Sequence, residues 1–172
     1  GEIKDTDDIL FVGKEKTYEF INDIVKSASE PFRSKRIHIG MDEALNLGLG
    51  KYLKTHGYQN RFELMNHHIK RVYGIVRANG LTPMMWSDMY FRLASKTGRH
   101  YDPDVVFNED VLEKVPENMQ MVYWEYDNIN KDMYTSLLKA HKTMKRDVIF
   151  AGGLHTWKGL AVNYVKTFTT IT

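Results

Sequence analysis

Asp42 and Glu43 stand side by side at the end of a short apolar stretch, Arg36-Ile37-His38-Ile39-Gly40-Met41. Two carboxylates held that close repel, so one resists ionising while the other keeps its charge. A general acid working beside an ionised partner needs that division. The ordinary reading of an Asp-Glu pair is a helix cap or a solvated surface, because charged residues are mostly exposed. Gly40 falls where the chain leaves its strand and must turn. His38, between two isoleucines, reads as a buried, hydrogen-bonded brace for the acids rather than a metal ligand. His67 and His68 read as surface residues of a helix, and His155 has no clear partner.

Aromatic residues give a second signal. Trp86, Trp124 and Trp157 each come at or after a different apolar stretch, with Asp88, Tyr123 and Glu125 beside them. A single tryptophan is ordinarily core packing. Three of them at strand ends, accompanied by acids, describe an aromatic-walled cup. Such cups suit sugars, whose C–H faces stack on rings while their hydroxyls meet carboxylates and amides.

The elements that would position these residues alternate. Residues 1–13 read as loop with a short extended piece at 9–12. A helix is expected over about Lys14–Ala28, from Ile21, Ile24, Val25 and Ala28, and Pro31 stops it. The strand Arg36–Gly40 follows. Residues 44–59, carrying Gly48, Gly50 and Gly57, read as a long loop with at most a short helix at 49–55. Asn60 with Glu63 opens the next helix, whose apolar face is Leu64, Met65, Ile69, Val72, Tyr73 and Val76 and whose end is Gly80. Thr82–Asp88 reads as a buried strand, 89–118 as a long loop with a short helix near Asn108–Lys114, and Met119–Tyr126 as the next strand. Asn130 caps a helix bearing Met133, Leu137, Ala140, His141 and Met144. Asp147–Gly153 is a fourth strand, and residues 159–168 suggest a last helix.

Strand–helix alternation predicts an α/β fold with a parallel sheet and crossover helices. The residues able to do chemistry all follow strands, where (β/α)₈ barrels and doubly wound sheets place their ligands. No Gly-rich phosphate loop follows any strand, which disfavours nucleotide chemistry. The 172 residues suffice for one domain with a real core. Apolar residues make up 42%, charged 27% and aromatic 12%, ordinary values for a globular protein. A net charge of +2 is too small to point to nucleic acid as a partner. The absence of cysteine excludes disulfides and thiolate metal sites, and fits a reducing, cytoplasmic setting without proving one. No apolar run approaches the roughly 20 residues that span a bilayer, so no membrane partner is expected.

The motifs also resemble a known family. His38-Ile39-Gly40-Met41-Asp42-Glu43 is similar to the His-x-Gly-x-Asp-Glu motif of glycoside hydrolase family 20, the β-N-acetylhexosaminidases. Trp86-Ser87-Asp88 resembles that family's Trp-x-Asp/Glu after the fifth barrel strand. Tyr123-Trp124-Glu125 resembles its Tyr-x-Asp after the sixth, and Trp157 the tryptophan after the seventh. Phe150-Ala151-Gly152-Gly153 resembles a strand of the bacterial subgroup. The resemblance implies a partial (β/α)₈ TIM barrel, about strands four to seven with their helices, and residues 1–172 as a portion of a catalytic domain. It implies hydrolysis of terminal N-acetylglucosamine or N-acetylgalactosamine from glycans, assisted by the substrate's own acetamido group. Glu43 would be acid and then base. Asp42 would hold the acetamido N–H, and Tyr123 would donate to the acetamido oxygen. His38, Trp86, Asp88, Trp124, Glu125 and Trp157 would bind the sugar, with no metal or cofactor required.

Three positions depart from the family pattern, the first being Glu125 in place of the Asp of Tyr-x-Asp. Gly159 stands where a Glu usually grips sugar hydroxyls, and Met41 replaces a commoner second Gly. The chain lacks an initiating Met and stops on an apolar segment, so a fragment is expected, inactive alone and prone to join the rest of its barrel or itself. Two other readings remain open at this stage. One is a metal-dependent barrel hydrolase using His38, Asp42, Asp88 and His155, and the other a non-catalytic sugar-binding module.

Overall fold

The computed structural model describes residues 1–126 and 128–153. Helix α1 (Glu15–Ser29) leads into strand β1 (Arg36–His38), and a loop carrying the acid pair runs to the short helix α2 (Lys51–His56). Helix α3 (Arg61–Ala78) returns the chain to β2 (Thr82–Trp86). Helices α4 (Asp88–Ala94) and α5 (Glu109–Leu112) precede β3 (Gln120–Trp124), and α6 (Lys131–Thr143) precedes β4 (Val148–Ala151). The described strands form one parallel sheet in the order β1-β2-β3-β4.

Sequential parallel neighbours need crossovers, and α3 and α6 supply two of them. Helix α3 forms because Leu64, Met65, Ile69, Val72 and Val76 recur on one face, all buried. Its start is fixed by Asn60, whose side chain accepts from the backbone N–H groups of Phe62 and Glu63 at 2.9 and 3.3 Å. Glu63 does not close the capping box; it pairs with Lys114 instead. Helix α6 begins the same way, Asn130 accepting from the Asp132 N–H at 2.9 Å. Pro83 is tolerated inside β2 because it sits where pairing with β3 has not begun. That register opens one residue later, at Met84↔Gln120.

Two apolar clusters lie between sheet and helices. Tyr18 and Val25 of α1 pack on Val72, Val76 and Leu81. A larger cluster joins Met65, Ile69, Met85, Met89, Tyr90, Phe91, Tyr123, Leu137 and Met144. Each such side chain contributes about 1.5–3 kcal/mol by leaving water.

Three expectations need correction. The segment after β2 is not loop: Ser87 is followed directly by α4, whose residues Asp88 to Phe91 are all buried. Continuous burial leaves no polar–apolar contrast, so periodicity does not reveal that helix. His68 is not a surface residue. It is half-buried, and its Nδ1 lies 3.3 Å from the Tyr18 hydroxyl. His38 is hydrogen-bonded but not buried, since it stands exposed on the open face of the sheet. Trp157, His155 and the helix expected over 159–168 lie outside the described residues.

Candidate active site

Alternation along the strands sorts the candidate residues onto two faces. Ile37, Met85, Met121 and Tyr123 turn towards the helices, where Met85, Met121 and Tyr123 are fully buried. His38, Trp86 and Trp124 turn to the other face. There the His38 and Trp86 rings meet at 4.3 Å between centroids, and His38 Nδ1 accepts from the Gly40 N–H at 3.1 Å. Although the residue as a whole is exposed, the partial desolvation of its ring against Trp86 pushes the His38 imidazole pKa down, partly offset by the charge of Asp42.

The acid pair lies on a backbone that few sequences would choose. Gly40, Met41 and Glu43 have φ of +74°, +78° and +47°. Glycine takes that left-handed conformation freely, but for L side chains such as Met41 and Glu43 it costs roughly 1–2 kcal/mol each. Strain of this kind persists only where surrounding structure holds it, and it gathers at functional sites. Here the clamp is Asp88. Its Oδ2 accepts from the Glu43 backbone N–H at 3.0 Å, while its Oδ1 accepts from the Trp124 indole N–H at 3.3 Å. Asp88 is fully buried, and burial raises its carboxyl pKa against those two hydrogen bonds, with Asp42 adding to the rise. Asp42 and Glu43 themselves are exposed. Asp42 is close enough for its charge to act on His38, Asp88 and Tyr126.

Trp124 is half-buried. The His100 ring stacks on it at 5.0 Å and 9°, and the Tyr126 ring at 5.5 Å and 25°. Glu125 is occupied by its own loop, Oε1 accepting from the Tyr126 and Asn128 N–H groups at 3.0 and 3.1 Å. Tyr123 stands on the helix side. Its ring lies 4.9 Å from His141 and 5.3 Å from Phe150. Its hydroxyl is buried without a partner among the described residues. The structure thus brings together His38, Asp42, Glu43, Trp86, Asp88 and Trp124, and leaves Tyr123 on the far side of the sheet. Tyr126 and His100 join the site without having been singled out by their sequence pattern.

Among the described residues, no three imidazoles or carboxylates converge as ligands for a metal. The described residues present an exposed, backbone-strained acid pair braced by a buried third acid, beside an aromatic wall. The sequence model of glycosyl hydrolase family 20, catalytic domain, matches residues 2–152. The chain belongs to that family. Family 20 catalytic domains are TIM barrels, and this four-stranded parallel sheet with its helices is part of one.

No curated protein matches the chain by sequence. Among solved structures it resembles the β-N-acetylhexosaminidase of Bacteroides fragilis (18% identity, TM-score 0.55, covering 88% of this chain and 29% of that one). It resembles the exo β-N-acetylglucosaminidase of Vibrio harveyi in complex with N-acetylglucosamine at 17% identity and a TM-score of 0.54, over 88% of this chain and 20% of that one. The N-acetyl-β-hexosaminidase of Streptomyces plicatus gives 18% and 0.51, over 91% and 26%. At these identities the likeness concerns the fold, and this chain spans less than a third of the length of each of these proteins.

Proposed function

We propose that this chain is the acid-bearing portion of an exo-acting β-N-acetylhexosaminidase, removing terminal N-acetylglucosamine or N-acetylgalactosamine from glycans with assistance from the substrate's acetamido group. The observation that carries the reading is the left-handed turn at Met41–Glu43, clamped by Asp88 against Trp124. It sets an acid pair at the mouth of an aromatic wall, inside a family 20 domain. Similar folds include a protein described as a β-N-acetylhexosaminidase and one described as an exo β-N-acetylglucosaminidase in complex with N-acetylglucosamine.

In this reading the acetamido carbonyl oxygen attacks the anomeric carbon as the glycosidic C–O bond breaks. Glu43 gives its proton to the leaving oxygen. The oxazolinium that forms carries positive charge and an N–H, both of which Asp42 receives. Glu43 then takes a proton from water as that water attacks the anomeric carbon, restoring the acetamide with retained configuration. Trp86 and Trp124 hold the acetamido group in the attacking geometry, together with Trp157 of the segment outside the described residues. His38 supports Trp86, Asp88 fixes the Glu43 backbone, and Glu125 shapes the loop that carries Tyr126. The donor to the acetamido oxygen was expected at Tyr123. The placement of the rings favours Tyr126, which stacks on Trp124 and feels the charge of Asp42. No step uses a metal or cofactor.

The rest of the barrel is the partner that completes the pocket, and the 172-residue piece alone is inactive or nearly so. The test of the acetamido step is a set of aryl N-acyl-β-glucosaminides bearing zero to three fluorines on the acetyl group, given to the full-length protein. Each fluorine weakens the amide oxygen as a nucleophile, so kcat falls steeply along the series. A flat series would remove the acetamido group from the reaction.

A further inference from the structure

Among the described residues, a buried chain of polar groups runs through His141, Ser87 and Tyr101, none of which the sequence pattern assigns to the chemistry. It begins at His141 on α6, which has no exposure. Its Nδ1 lies 2.7 Å from the Leu137 carbonyl and its Nε2 lies 2.8 Å from Ser87 Oγ. A carbonyl can only accept, so Nδ1 carries the proton and Nε2 presents a lone pair. The Ser87 hydroxyl has two acceptors in reach, His141 Nε2 at 2.8 Å and the Val122 carbonyl at 3.1 Å. That carbonyl already accepts from the Ser87 backbone N–H, whereas the Nε2 lone pair depends on the hydroxyl, so Ser87 donates to His141. Its oxygen accepts from the Tyr101 hydroxyl, 2.9 Å away. Tyr101 in turn accepts from the Trp124 backbone N–H at 3.3 Å. Each hydroxyl has one proton to give, so the histidine tautomer sets the direction of the whole chain: Trp124 N–H to Tyr101, Tyr101 to Ser87, Ser87 to His141.

We propose that His141 is a positioning residue for the site, acting from beneath the sheet through Ser87 and Tyr101 to fix the end of β2 against the end of β3. These are the two strand ends that must be in register for Asp88 to hold the Trp124 indole and the Glu43 backbone together. Ser87 is the residue before Asp88, and Trp124 is the residue whose backbone closes the chain. Neutral His141 suits this task, since burial keeps it unprotonated down to about pH 4. The ring also packs against Phe91, Tyr101 and Tyr123 at 4.5, 5.9 and 4.9 Å, so it cannot turn to a second acceptor without moving them. A buried polar chain of this sort is worth keeping only when every member is satisfied.

The catalytic part of this inference rests on the hydrolase reading above, so its test has an arm that does not. His141→Phe keeps the ring volume and removes the acceptor, while His141→Gln retains an acceptor near the Nε2 position. In the full-length protein, the indole N–H resonance of Trp124, assigned by its loss in Trp124→Phe, reports the bond to Asp88. We expect His141→Phe to shift that resonance and to lower kcat about tenfold or more, with KM changed far less, and His141→Gln to restore both. An unshifted indole resonance in folded His141→Phe overturns the proposal whatever the activity. If the wild-type protein has no hydrolase activity but His141→Phe still shifts the resonance, the positioning role stands and the hydrolase reading is removed. A lower melting temperature with unchanged kcat and unchanged resonance makes His141 a stability residue only, which also overturns it. If His141→Phe does not fold, Tyr101→Phe, which cuts the same chain one bond further along, is read by the same two measures.

Discussion

Acid should destabilise this protein through two histidines that fold into it uncharged. His68 and His141 both have their pKa pushed from 6.5 down to about 4, in each case chiefly by burial. The unfolded chain takes up protons at these residues near pH 6.5, and the folded chain does not until about pH 4. Between those values the unfolded state binds more protons, so stability is full above about 6.5 and falls as pH drops towards 4. At about 1.4 kcal/mol per pH unit, the fully buried His141 contributes about 3 kcal/mol to that fall, and the half-buried His68 about 2. His68 is the cleaner probe, since it lies on α3 facing Tyr18 of α1, away from the acid pair. The Tyr18 hydroxyl beside it accepts from the Gly13 N–H at 3.2 Å and lies 3.3 Å from His68 Nδ1. The assay is urea unfolding of the full-length protein and of His68→Gln, followed by tryptophan fluorescence from pH 7.5 to 4.5. The variant is expected to be less stable at pH 7.5 and to lose roughly 1–2 kcal/mol less than wild type on acidification. Parallel curves for the two proteins would refute the reasoning, because the pH dependence would then come from elsewhere.

Other substitutions probe the site and its supports. Asp88→Asn keeps the shape of the side chain but cannot accept from both the Glu43 backbone and the Trp124 indole. Its kcat on an aryl N-acetyl-β-glucosaminide should fall about tenfold or more, and an unchanged kcat would show that the clamp is dispensable. Tyr126→Phe should lower kcat more than Tyr123→Phe does; the reverse order would return the donor role to Tyr123. Asn60→Ala removes both bonds that start α3 and should cost about 1 kcal/mol in urea unfolding, with no change in KM.

Much of this architecture is legible in the sequence, for identifiable reasons. α3 and α6 announce themselves because their buried faces alternate with solvated ones and an asparagine caps each. The strand ends are legible because apolar runs break off into acids and tryptophans. Helix α4 is hidden because Asp88 to Phe91 are buried without contrast. His38 reads as buried from its isoleucine neighbours, yet those isoleucines face the helices and His38 faces the other way. The face of Tyr123 follows from the period of two. If Trp124 lines the pocket, its neighbour in the strand does not, and a residue two further on can. The Ser87–Tyr101–His141 chain was not legible, because its members are separated by 14 and 54 residues and only the fold brings them together. Nor was the role of Asp88 as the clamp of a strained turn, since positive φ at Met41 and Glu43 leaves no mark on residue type.

The central claim is tested most directly by hydrolysis of a chromogenic N-acetyl-β-glucosaminide beside the plain β-glucoside, using the full-length protein and its Glu43→Gln variant. The account predicts cleavage of the N-acetyl sugar alone, and its loss in the variant by a factor of at least about a hundred. Equal cleavage of both sugars, or undiminished cleavage by the folded variant, would contradict it.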